Sequence, residues 1–216
     1  MEKRRPLKSR SNRFIKKFAK FLSTKNIRPN QVSLLSIVFA LVGAIALAIW
    51  NMPPAKSLKI TLLVLAIIGV QGRLLCNLFD GMIAIEGGKT TPDGELYNDV
   101  PDRISDTLLL TGLGLGLSLP FALVLGLIAS MVALLTAYIR MLGAAMGTPA
   151  FFVGPMAKQH RMAALTVTLV MAILCIALDY PAASILLYAT LILIILGSLW
   201  TCWRRLKKIQ DYIIHV

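Results

Sequence analysis

Apolar residues fill this chain in stretches longer than the core of a soluble domain requires. Runs near 31–50, 58–85, 96–118, 120–147, 161–179 and 181–203 each match the about 20 residues that cross a bilayer as a helix. They predict an all-α integral membrane protein with about six transmembrane helices. Ahead of them, residues 7–25 place Phe14, Ile15, Phe18, Phe21 and Leu22 at helical spacing among many Lys and Arg. That pattern is an N-terminal amphipathic interfacial helix, its rings sunk into the headgroup boundary and each cation contributing about 1 kcal/mol against anionic lipid. Pro29 then fits a turn, and Asn30 can cap the first span. The chain therefore divides into a basic juxtamembrane segment at 1–28, a six-helix membrane domain at 29–209 and a short tail at 210–216. The first span lacks a small-residue cleavage pattern after it and reads as retained rather than as a signal peptide.

Polar residues interrupt the second and third runs at a regular interval. At roughly 100° per residue, Arg73, Asn77, Asp80 and Ala84 share an arc of roughly 60° on one helix, with Gly81 at its edge. Asn98, Asp99, Asp102 and Asp106 share roughly 100° on the next. A connection of Gly, Lys, Thr, Pro and Asp folds the two helices back to back, so the stripes can face each other. A carboxylate in hydrocarbon costs roughly 2.5–3.5 kcal/mol on insertion scales, so several together point to bound metal, substrate or a proton path. Their oxygens suit hard Mg²⁺, Mn²⁺ or Ca²⁺, ions that commonly bridge phosphate oxygens.

Composition narrows the partners. With 57% hydrophobic and 15% charged residues in 216, the chain is polytopic rather than soluble. Its net charge of +13 would suggest nucleic acid elsewhere. Here Lys and Arg crowd into 1–28 and 204–208 beside the membrane, so lipid is the partner and nucleic acid is not. The same asymmetry places both termini, the loops near 86–95 and 148–160 and both polar stripes on the cytoplasmic side. Cys76, Cys175 and Cys202 lie in apolar stretches without metal or disulfide spacing and read as packing residues. The Gly112-Leu113-Gly114-Leu115-Gly116 run sits inside an apolar helix, which suits a close helix contact better than a nucleotide loop. Arg140, Lys158 and Arg161 stand at the ends of the fourth and fifth spans, where they could cradle a phosphate or simply snorkel, and His160 between cations is a poor metal ligand.

The order Asn77-x-x-Asp80-Gly81-x-x-Ala84, then Gly94-x-x-x-Asn98-x-x-x-Asp102, resembles the signature of the CDP-alcohol phosphotransferase family. The ordinary pattern there is DxxDGxxAR followed by GxxxDxxxD. The basic amphipathic start, the Pro29-Asn30-x-x-Ser33 opening of the first span and the six-span architecture agree with it. The resemblance implies transfer of a phosphatidyl group from CDP-diacylglycerol, or another CDP-alcohol, to an alcohol acceptor with release of CMP. It implies Mg²⁺ or Mn²⁺ on Asn77, Asp80, Asn98 and Asp102, with Asp102 as general base; Asp106, one helical turn beyond, is a further candidate for metal ligand or base. It implies close approach of the cytidine diphosphate to Gly81, Ala84 and Gly94, and a homodimer in a bacterial inner membrane. Asn30, Arg73, Arg140, Lys158 and Arg161 complete the candidate ligand contacts, the last three favouring an anionic acceptor.

Three departures separate this chain from the ordinary pattern. Asn77 and Asn98 replace two carboxylates, and Ile85 stands where an arginine is usual. An amide oxygen ligates but carries no charge, so two metals become harder to hold. Asp106 and Arg73, each one turn from a motif residue, are the candidates to compensate. The competing expectation is a catalytically silent relative that binds CDP-lipid or a divalent cation without transfer.

Overall fold

The computed structural model describes residues 28–86, 88 and 92–215, with Ile85 and Glu86 described for their backbone alone. The amphipathic helix expected at 7–25 lies outside the described residues. Six helices follow: α1 (Pro29–Ile49), α2 (Lys56–Glu86), α3 (Gly94–Leu115), α4 (Ala122–Ala145), α5 (Lys158–Ala177) and α6 (Ala183–Ile214). Among the described residues there is no β-strand. Five of the six are long and apolar enough to cross a membrane. The exception is α3, which carries Glu95, Asp99, Asp102, Arg103 and Asp106. Helix α6 continues to Ile214, so most of the tail expected from 210 is helical.

Helix α1 starts at Pro29, which needs no N–H partner in the first turn. The flanking N–H of Arg28 is taken by Gln31 Oε1 at 3.0 Å. Asn30 thus lies inside the first turn, and the cap expected of it is supplied from Gln31.

Each helix packs mainly on two neighbours, in the closed order α1–α2–α5–α6–α4–α3 and back to α1. The stripe-bearing helices α2 and α3 are therefore not back to back as the sequence suggested. Both lean on α1 and touch each other sparingly, and the cleft between their polar ends is bridged by side chains, Asn77 to Asp102 and Arg73 to Asp106. Small residues make this possible. A Cβ on Gly69 of α2 would lie 2.6 Å from Gly43 Cα of α1, and one on Gly112 of α3 would lie 2.5 Å from Ala44 O. Side chains there would push α1 out of its wedge. The glycine run in α3 thus serves helix contact, as its setting predicted.

The opposite end of the bundle is apolar and filled. Leu47, Trp50, Leu63, Leu109, Leu113, Leu165 and Leu187 belong to one buried cluster. Its loops are tied by exposed polar contacts, Lys56 Nζ to Asp179 at 2.8 Å and Asn51 to Ser118 at 3.4 Å. The three cysteines are free thiols.

Candidate phosphotransfer site

At the end where α1, α3 and α5 begin and α2, α4 and α6 finish, a group of charged and polar side chains is buried between the helices. Asp80 on α2, 4% exposed, accepts a 2.6 Å bond from Ser33 Oγ of α1. Ser33 has one proton to give, and the carboxylate is a stronger acceptor than the Pro29 carbonyl at 3.2 Å. The Pro-Asn-x-x-Ser opening of α1 is thus mechanically tied to the carboxylate stripe.

Asp102 on α3, also buried, bridges three helices. Its Oδ1 accepts from Asn77 Nδ2 of α2 at 2.6 Å, and its Oδ2 from Lys158 Nζ of α5 at 2.5 Å. Arg73 and Arg103 each hold a guanidinium nitrogen 3.8 Å from the same carboxylate. An ionised carboxylate can only accept, so the Asn77 amide must present its NH₂ to Asp102. Its Oδ1 is left buried and without a hydrogen-bond partner.

One turn deeper, Asp106 is enclosed between two arginines. Arg73 Nη1 donates to Oδ1 and Arg161 Nη2 to Oδ2, both at 2.6 Å. Neither arginine is more than 1% exposed. Burial of that kind is tolerated only with a counter-charge in place, which Asp106 provides for both. With each oxygen already on a guanidinium, Asp106 has poor freedom to ligate metal or accept a proton, and Arg73 points to it rather than to open space.

The remaining candidates lie at the rim. Arg140 on α4 grips both oxygens of Asp99 at 3.0 Å and rests over the Phe152 ring. Asn98 is exposed, while Asn30, Gly81, Ala84 and Gly94 are half-buried. The three cations expected to gather around one phosphate are instead paired with three different carboxylates, Arg140 with Asp99, Lys158 with Asp102 and Arg161 with Asp106. Among the described residues no three Asp, Glu, His or Cys side chains converge as a metal group. A single divalent cation nonetheless suits this donor set. Asn77 Oδ1 lacks a partner, and Asp80 and Asp102 flank it on α2 and α3.

One site residue escaped the sequence reading. Arg205 belongs to the basic stretch at 204–208, read there as a topological signal, yet it is buried while Arg204, Lys207 and Lys208 are exposed. It donates to Val153 O at 3.0 Å and Thr136 O at 2.5 Å, backbone carbonyls rather than a carboxylate. The usable signal was the spacing of Ser198, Thr201 and Arg205, a polar face on an otherwise apolar helix. With Arg161 on Met156 O at 2.8 Å and Thr201 on Met156 N at 3.0 Å, Arg205 fixes the α4–α5 connection over the cleft.

This architecture has counterparts among solved structures. Phosphatidylinositol phosphate synthase PgsA1 of Mycobacterium tuberculosis, with CDP-DAG bound, superposes with a TM-score of 0.73 at 21% identity, over 92% of this chain and 94% of that one. The chain has that enzyme's fold. The PgsA1 complex with manganese and citrate gives 0.71 at 22% identity over 91% and 88%, and the apo form gives 0.69 at 21% over 89% and 94%. No protein-family model matches the chain. No curated protein matches it either.

Proposed function

We propose that this protein is a CDP-alcohol phosphotransferase, moving a phosphatidyl group from CDP-diacylglycerol to an alcohol and releasing CMP. The observation that carries the reading is the buried group of Asp80 and Asn77 on α2 and Asp102 on α3, with Asn77 bonded to Asp102, in the register of that family's motif and in the PgsA1 fold. PgsA1 has been captured with CDP-DAG and with manganese, which supports the donor and the divalent ion assigned here.

The chemistry assigned to the cleft follows from its side chains. Asp102 takes the acceptor's proton as its hydroxyl oxygen attacks the lipid-bearing phosphorus; the P–O–P anhydride bond breaks, and CMP departs with that electron pair. Mg²⁺ or Mn²⁺, held by Asn77, Asp80 and Asp102, neutralises diphosphate charge when bound. Gly81 and Ala84 leave room for the nucleotide beside α2. Arg205, whose hydrogen bonds go to backbone carbonyls, adds to Arg140 as attraction for an anionic acceptor such as an alcohol phosphate. A cleft open to the cytoplasmic face of a bacterial inner membrane, an orientation supported by the positive-inside pattern, and a homodimer as the working unit belong to the same proposal.

The direct test supplies purified protein in lipid with labelled CDP-diacylglycerol, Mn²⁺ and a panel of alcohols and alcohol phosphates. CMP release with at least one acceptor is expected; none under any condition would sink the activity. A second reading draws on Asn77, Asn98 and the Lys158 contact to Asp102: a silent relative that binds CDP-lipid without turnover. It predicts saturable CDP-diacylglycerol binding with no CMP.

A further inference from the structure

Most carboxylates of the cleft are already neutralised by the chain itself. Asp99, Asp102 and Asp106 stand in ion pairs with Arg73, Arg103, Arg140, Lys158 and Arg161, while Asp80 holds the Ser33 hydroxyl. Cations outnumber acids before any metal enters. Asn77 adds a second economy of charge. Two carboxylates at 77 and 102 would repel and need an ion between them, whereas an amide donates directly to Asp102 at 2.6 Å and holds the pair alone.

We infer that Lys158 is a tethered cation that occupies Asp102 in competition with a divalent ion, so this chain holds one weak metal where a fully carboxylate cleft would hold more. The inference rests on the cation and diphosphate reading of the cleft. Three observations support it. Lys158 Nζ donates directly to Asp102 Oδ2. Arg73, with no exposed surface, keeps Nη2 without a hydrogen bond 3.8 Å from Asp102 Oδ1, so positive charge flanks both oxygens. The unpartnered Asn77 Oδ1 remains as the neutral ligand that a single ion would use. Lys158 is also half-buried at the start of α5, with a flexible stem able to leave Asp102 for an incoming phosphate. The same ammonium that excludes a metal would then meet the donor's diphosphate.

Mn²⁺ titration of the full chain in nanodiscs, followed by the electron paramagnetic resonance of free Mn²⁺, tests this without turnover. The wild type should bind about one ion per chain, weakly, and Lys158→Met should tighten binding by about tenfold or more as the competing charge is removed. Lys158→Arg, which keeps the charge, should stay near wild type. Should Lys158→Met fail to fold, Asn77→Asp supplies the complementary measurement, raising affinity by restoring a carboxylate. Two or more tight ions on the wild type, no Mn²⁺ binding at all, or equal affinity in wild type and Lys158→Met would overturn the inference. CMP release is scored separately, so a silent protein with a strong Lys158→Met effect would refute the proposed activity and leave the competition standing.

Discussion

The mouth of the cleft and its floor both hold buried aspartates and solve opposite problems with them. At the floor, Asp106 spends both oxygens on Arg73 and Arg161, and all three are almost fully buried. At the mouth, Asp80 has a serine hydroxyl, and Asp102 has an amide and a lysine that is 21% exposed. Guanidinium pairs are rigid and permanently charged, while an ammonium or a hydroxyl can be exchanged for a ligand. The single turn between Asp102 and Asp106 therefore separates a carboxylate available for chemistry from one committed to holding helices together.

Asp106→Asn should produce the largest effect. It leaves two buried guanidiniums with a neutral partner, and breaking a buried pair of this sort costs about 3–5 kcal/mol. A marked fall in thermal unfolding temperature in detergent, with loss of any transfer, is the expected outcome. If Asp106→Asn instead stays folded and loses only turnover, the floor is part of the chemistry and the distinction fails. Asp102→Asn makes the reverse case. The amide retains an oxygen for Lys158 or Asn77, so unfolding should move little while CMP release drops by about 10²–10⁴-fold, the range of a lost general base. Unchanged turnover would remove Asp102 from that role.

A smaller effect is expected where packing, not charge, sets the cleft. Gly112→Ala places a methyl 2.5 Å from Ala44 O, a backbone atom that cannot swing aside. The cost should be about 1–3 kcal/mol, the usual range for overpacking. Because α1 carries Ser33, its displacement should also loosen the Ser33–Asp80 bond, and a Gly112→Ala variant with normal stability would show that α1 is not wedged.

Both helices of the cleft were legible in the sequence because their polar residues recur at helical period against an apolar background, a contrast that membranes sharpen. The facing of Asn77 and Asp102 was expected from that period and from the turn between the helices, and it holds although the helices are not back to back. The wedging of α1 between α2 and α3 did not, since it depends on Gly69 meeting Gly43 and Gly112 meeting Ala44, and small residues announce a contact without naming the partner. The pairing of cations was hidden for a related reason. Arg140, Lys158 and Arg161 are close in sequence to one membrane surface, which suggests one anion, but each emerges from its helix against a different acid of α3. Arg205 was masked by its neighbours, since a basic run beside a membrane already has a sufficient explanation. Asn30 looked like a cap because the sequence does not reveal that Pro29 has already started the helix.

The weakest effect should come from the ion pair at the other end of the bundle. Lys56 and Asp179 are 2.8 Å apart, a distance like those at the floor, but their side chains are 42% and 84% exposed. Water and salt screen them, and each must give up side-chain freedom to stay paired, so Lys56→Ala should cost at most about 0.2–1 kcal/mol. Asp179 sits at positive φ, where its backbone rather than its charge holds the turn, so Lys56 is the cleaner partner to remove. The comparison with Asp106→Asn keeps pair length nearly constant and varies burial. If unfolding of Lys56→Ala shifts as much as that of Asp106→Asn, then burial is not what commits the floor, and the assignment of Asp106 to structure rather than chemistry loses its physical basis.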